Sequence, residues 1–138
     1  MNYVRQAIFT KLELDSDLLD ELGDGTGDGT DTILGPREAT SETPKPFLEV
    51  AFDGGRSRNH IGAQTWAIYC YHDRQFTKAA TILKLVKDNL DRQVCTADSD
   101  GGIAVMECEF IGDTPDSYDR LLKLDINGQL YRVHTVDI

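Results

Sequence analysis

Cys70 and His72 stand two residues apart in TWAIYCYHD, so on a strand they share a face where a thiol and an imidazole could approach. The same face carries Trp66 and Ile68, and no acidic residue is placed to orient the imidazole, so Cys70 reads as a small core residue. Asp24, Thr26, Asp28 and Gly29 follow the first half of a calcium-binding loop, with oxygen-bearing side chains at alternate positions and glycine at the sixth. The pattern then fails: Thr26 occupies the third position, where Asp or Asn is usual, and Gly35 the twelfth, where a bidentate glutamate is required. His60 and His134 are isolated. No G-x-x-x-x-G-K-[ST], G-x-G-x-x-G, G-x-S-x-G or H-E-x-x-H pattern occurs, which removes the commonest nucleotide, hydrolase and metalloprotease readings. The expectation is a chain with no catalytic residues, no cofactor and no metal.

The elements around these residues are legible from periodicity. Val4, Ala7, Ile8 and Leu12 recur at three and four residue steps and predict a helix over about residues 2 to 13. Asp15, Ser16 and Asp17 can accept orphan amide hydrogens at a helix start, with Leu18, Leu19 and Leu22 as a short stripe ended by Gly23, so that two helices or one bent helix would both fit. Residues 23–46 are rich in Gly, Thr, Asp and Pro, with only Ile33 and Leu34 as anchors, and read as a long loop. Loops of that length are functional or disordered, and an arm that orders against a neighbouring subunit is one explanation. Leu48, Val50 and Phe52 alternate along a strand from Phe47 to Asp53, and a second strand covers about 63–72. Between them GGRSRNHIG predicts a flexible connection whose Arg56 and Arg58 form a basic spot. Asp73 can cap the next helix, striped by Ala79, Ile82, Leu83, Val86 and Leu90. Ala104, Met106, Cys108 and Phe110 mark a third strand, and Asn127-Gly128 between two apolar alternations predicts a type I′ hairpin. The resulting fold class is α+β, an antiparallel sheet of four to five strands with two to three helices packed on one face, in one domain spanning 1–138.

Bulk properties bound the function. The 138 residues suffice for one core, and 24 acidic against 14 basic residues give a formal charge of −10, which repels phosphate and anionic lipid. Sequence-reading of DNA is thereby disfavoured, although a surface past which DNA slides would gain from repulsion. Cys70, Cys95 and Cys108 are odd in number and without the close pairing of a disulfide framework or zinc site, which fits a reducing compartment. The opening residues MNYVRQAIFTKLELDSD show no signal peptide, and no apolar run is long enough to span a membrane. Glu49, Glu107 and Glu109 fall opposite the apolar strand positions. They form either a solvated acidic face or a ring lumen from which DNA is repelled, while Arg56 and Arg58 could pair with acidic groups of a partner.

VRQAIFTKLELDSDLLDELGDG, PKPFLEV, TWAIYCYHD running into FTKAATILKLVKDNL, and RLLKLDINGQLYRVHT together resemble the small tail-terminator and tail-completion proteins of long-tailed bacteriophages. The likeness is architectural and spans most of the chain, though the Gly- and Asp-rich 23–31 stretch has no match in it. It implies an α+β fold and a homo-oligomeric, hexameric ring on the tail tube. That ring would stop tube polymerisation and offer a surface to the head connector and neck proteins. Double-stranded DNA would be passing cargo only, and the place of action the virion tail, assembled in the host cytoplasm. Under that resemblance Ile33, Leu34, Arg56 and Arg58 become inter-subunit or tube contacts. Two alternatives stay open: a head-closure or adaptor subunit of the same particle, and a small-ligand-binding or enzymatic α+β domain, which would need a concave pocket with converging polar groups.

Overall fold

The computed structural model describes residues 2–25, 32–57, 61–99 and 102–137. Helix α1 (Asn2–Glu13) and helix α2 (Ser16–Glu21) meet at Asp15, and a 3₁₀ turn, Leu22–Gly25, follows. Asp15 makes that junction: one carboxylate oxygen accepts from the amides of Asp17 at 3.0 Å and Leu18 at 3.4 Å, satisfying donors a helix start leaves open. Its other oxygen accepts from Asn89 Nδ2 at 2.5 Å, tying the junction to helix α3 (Phe76–Leu90). The predicted stripe of α3 is buried as its spacing requires. Its N-cap is Gln75 and not Asp73, and the Gln75 amide donates to His72 Nδ1 at 2.9 Å.

Among the described residues seven strands form one sheet: β1 (Ile33–Leu34), β2 (Phe47–Ser57), β3 (Ile61–His72), β4 (Val94–Ser99), β5 (Gly102–Asp113), β6 (Ser117–Asp119) and β7 (Leu124–Asp137). Their order is β1-β2-β3-β7-β5-β4, with β6 also on β7. The α+β class holds, but the sheet is larger than expected and mixed, since β1 runs parallel to β2 while the other pairs are antiparallel. Val4, Ala7, Ile8 and Leu12 of α1, Leu18 of α2 and the α3 stripe bury one face of this sheet. They meet Leu48, Val50, Trp66, Ile68, Cys70, Met106, Cys108, Tyr131 and Val133. Alternate residues of β2, β3, β5 and β7 supply that core, as a two-residue period dictates.

Two expectations need correction. Asn127 and Gly128 lie inside strand β7, with Gly128 opposite Tyr69. The glycine serves close packing, since a Cβ there would stand 2.5 Å from Tyr69 Cδ1 and 2.7 Å from Thr114 Oγ1. Chain reversal falls earlier, between β6 and β7, where Lys123 takes φ 57° and Asp119 Oδ1 accepts from the amides of Leu121 and Leu122, each at 2.9 Å. The predicted 54–62 connection is mostly strand, so Arg56 sits in β2 opposite Ala63. The described part of the 23–46 loop lies against the chain's own sheet. The Leu48 amide donates to Thr32 O at 2.7 Å and the Gly23 amide to Pro46 O at 2.9 Å. Ile33 enters the main core, while Leu34 and Ala39 cover a second cluster of Phe47, Tyr71 and Leu124 on the opposite face. Burying an isoleucine is worth roughly 1.5 to 3 kcal/mol, which this segment gains without a neighbour.

Candidate functional site

With alternate residues committed to the helical layer, the opposite face of the sheet carries the predicted glutamates. Glu107 and Glu109 of β5 are exposed on it, and Glu49 of β2 faces the same way. The shared face expected for the three glutamates is therefore present in register, but they are not gathered. Strands β3 and β7 separate Glu49 from the other two, a gap of roughly 14 Å at ordinary strand spacing. Basic positions also interrupt the acidic face, for Arg132 stands directly opposite Glu109 and His134 directly opposite Glu107. The opposite charges of Arg132 and Glu109 so placed contribute on the order of 0.2 to 1 kcal/mol and reduce the local field. The alternation YRVHT in the last strand held that signal; it needed the β5–β7 register to be read.

Glu49 behaves differently from the other two. It is half-buried beside the Phe47–Tyr71 stack, whose ring centroids are 4.8 Å apart, and its carboxylate accepts a hydrogen bond from Tyr71. Burial raises its pKa above 4.5, the Tyr71 bond opposes that rise, and nearby Asp119 adds to it. Desolvation, with Glu49 and Asp119 close by, pushes the Tyr71 hydroxyl up as well.

Arg56 falls in one register row with Ala63, His134, Glu107 and Val94, so a basic and an acidic position share that line across the sheet. Arg58 and His60 lie outside the described residues, as do Thr26, Asp28 and Gly29 of the calcium-like loop. Ile33, expected at a contact with another subunit, is 2% exposed in this chain's own core, and Leu34 beside it is half-buried.

The Cys70–His72 pair is spent on structure. Cys70 is fully buried and desolvation pushes its thiol up to about 12. His72 is also fully buried. Its Nδ1 accepts from the Gln75 amide, which makes Nε2 the protonated nitrogen and the donor to Asn127 Oδ1 at 2.6 Å. Both ring nitrogens are thus occupied in joining β3, β7 and the start of α3.

A cleft of about 380 Å³ opens between α3 and the ends of β5 and β7, lined by Phe76, Leu83, Asp113, Thr114 and Asn127 among others. Asn127 is held there by His72 and by Asp116, to which its Nδ2 donates at 2.5 Å. Among the described residues no three His, Cys, Asp or Glu side chains are grouped so as to hold a metal ion, and no helix is long and apolar enough to cross a membrane.

Sequence reasoning treated the cysteines as unpaired, yet the β4–β5 hairpin brings two of them together. Cys95 is directly opposite Met106, so Cys108 lies diagonally two residues further on the same inward face, and the two thiols hydrogen-bond.

No known family's model matches the chain, and no curated protein does. Among solved structures, the fold is similar to that of a chain in the virion of a native gene transfer agent particle. The TM-score is 0.67 at 14% identity, covering 97% of this chain and 95% of that one. The chain thus shares its whole architecture, helices and curled sheet together, with a protein found in that virion.

Proposed function

We propose that this chain is a structural virion protein of a phage-type particle, and specifically one that caps the tail tube as a ring of its own copies. In that role it stops tube polymerisation and presents the surface to which the head connector joins. The observation that carries the particle assignment is the fold match over nearly the full length of both chains to a chain of a gene transfer agent virion. The terminator assignment rests on the likeness of the opening helix, the PKPFLEV strand and the TWAIYCYHD strand with its following helix to tail-completion proteins. A formal charge of −10 suits a ring through which DNA must pass without adhering. In this reading Glu107 and Glu109, both exposed, face the channel.

Electron microscopy of particles from a phage lacking this gene tests both levels. Overlong, headless tails are the expected result. Tails of normal length beside unjoined heads would move the chain to the neck, as a head-closure or adaptor subunit. Fully normal virions would overturn both structural roles and return attention to the cleft beside α3 as a ligand site.

A further inference from the structure

We propose that Cys95 and Cys108 form a thiol–disulfide exchange site, in which Cys95 attacks an incoming low-molecular-weight disulfide and Cys108 resolves the adduct into an intrachain bond. Three observations place the two thiols in those roles.

Access comes first. A groove of about 190 Å³ runs between α1 and the edge strand β4, lined by Ala7, Thr10, Lys11 and Leu14 on one side and Val94, Cys95 and Thr96 on the other. Cys95 forms part of its wall although only 3% exposed, whereas Cys108 is wholly covered behind it. A small disulfide entering the groove therefore meets Cys95 and not Cys108.

The electrostatics distinguish the thiols in the same sense. A hydrogen bond from Cys108 holds the Cys95 thiol below its ordinary value against the opposing effect of burial, and the Lys11 ammonium adds to the lowering. Cys108, as the donor and the more deeply buried thiol, is pushed up. Cys70 has no such partner and is pushed up to about 12 by desolvation alone.

The strand arrangement supplies the necessary give. A diagonal pair on neighbouring strands starts further apart than a disulfide allows, and because the offset lies along the strands, β4 must slide along β5 for the bond to close. Among the described residues β4, at the edge of the sheet, pairs with β5 alone. The slide therefore works against one ladder and the packing of α1, and not against a second ladder.

The chemistry balances as two exchanges. The Cys95 thiolate attacks one sulfur of the disulfide RSSR, the S–S bond breaks, and RS⁻ leaves and takes up a proton. Cys108 then attacks Cys95 Sγ, the Cys95–SR bond breaks, and the Cys108 proton passes to the departing RS⁻. Two protein thiols are oxidised to one disulfide and one RSSR is reduced to two RSH.

The test uses the full chain in native buffer with hydroxyethyl disulfide, a small neutral probe, and oxidised glutathione. Remaining thiols are alkylated and the peptides mapped by mass spectrometry, with Trp66 fluorescence confirming that the chain stays folded. Wild type and Cys70→Ser are expected to yield the Cys95–Cys108 disulfide. Cys108→Ser should stop at a mixed disulfide on Cys95, Cys95→Ser should leave Cys108 free, and Lys11→Met should slow the reaction severalfold while moving its pH profile upward. Three free thiols after prolonged exposure of the folded wild type would overturn the proposal. So would modification of Cys70 or Cys108 as fast as Cys95, which would mean reaction through unfolding.

Discussion

Glu49 carries the clearest pH signature of any described carboxyl. Its pKa is raised because burial disfavours the carboxylate more than the Tyr71 hydrogen bond favours it, with Asp119 adding to the rise. An acid that binds its proton more tightly in the folded chain stabilises the fold below its unfolded pKa, and that stabilisation is lost as pH rises through the folded value. Glu49→Gln cannot ionise, yet its amide oxygen still accepts from Tyr71. Urea midpoints of the two chains are therefore expected to agree near about pH 4 and to separate in favour of the variant by about pH 7. A gap that stays constant across that range would show that Glu49 is not the group responsible. The same burial removes Glu49 from the roster of freely exposed acids, leaving Glu107 and Glu109 facing Arg132 and His134 across the strands.

At the scale of elements, the Asp15 junction is where three helices are fixed relative to one another. Asp15 caps α2 through one oxygen and reaches Asn89 of α3 through the other, while Asn89 Nδ2 also donates to the Leu85 carbonyl at 2.8 Å. Asp15→Ala should cost about 1 to 2 kcal/mol from the cap and the charge-assisted bond together. Asn89→Ala should cost less, and a double-mutant cycle should show positive coupling, since the two residues share one contact. A coupling of zero would mean that α2 and α3 dock through their apolar stripes alone. Both helices were legible from spacing, as were β2, β3 and β5, because an alternating or three-and-four step pattern fixes which face is buried. Harder to read were elements whose identity depends on a distant partner. VCTADS has no clean alternation and becomes β4 only by pairing with β5, while the two residues of β1 exist only by lying along β2. Asn127-Gly128 was misread because its local turn preference yields to the need for a residue without a side chain beside Tyr69.

For the molecule as a whole, α1, α2, α3 and six of the strands bury residues in one continuous cluster around Trp66, the chain's only tryptophan. Unfolding should accordingly be one event: far-ultraviolet circular dichroism and tryptophan fluorescence are expected to give coincident urea transitions. Earlier loss of the fluorescence signal would show that the helical layer detaches before the sheet. The thiol pair at Cys95 and Cys108 could not be seen along the sequence, because thirteen positions separate the two and only the hairpin register closes the distance. The strand order carries a consequence for synthesis. Strand β7 lies between β3 and β5, so the two halves of the sheet share no ladder until residues 124–137 have been made. A ribosome-bound chain lacking them presents two unjoined β-hairpins with open edges, which are exposed to proteases and to pairing with other chains. Emergence of that segment is the step that converts a vulnerable nascent polypeptide into a protected one.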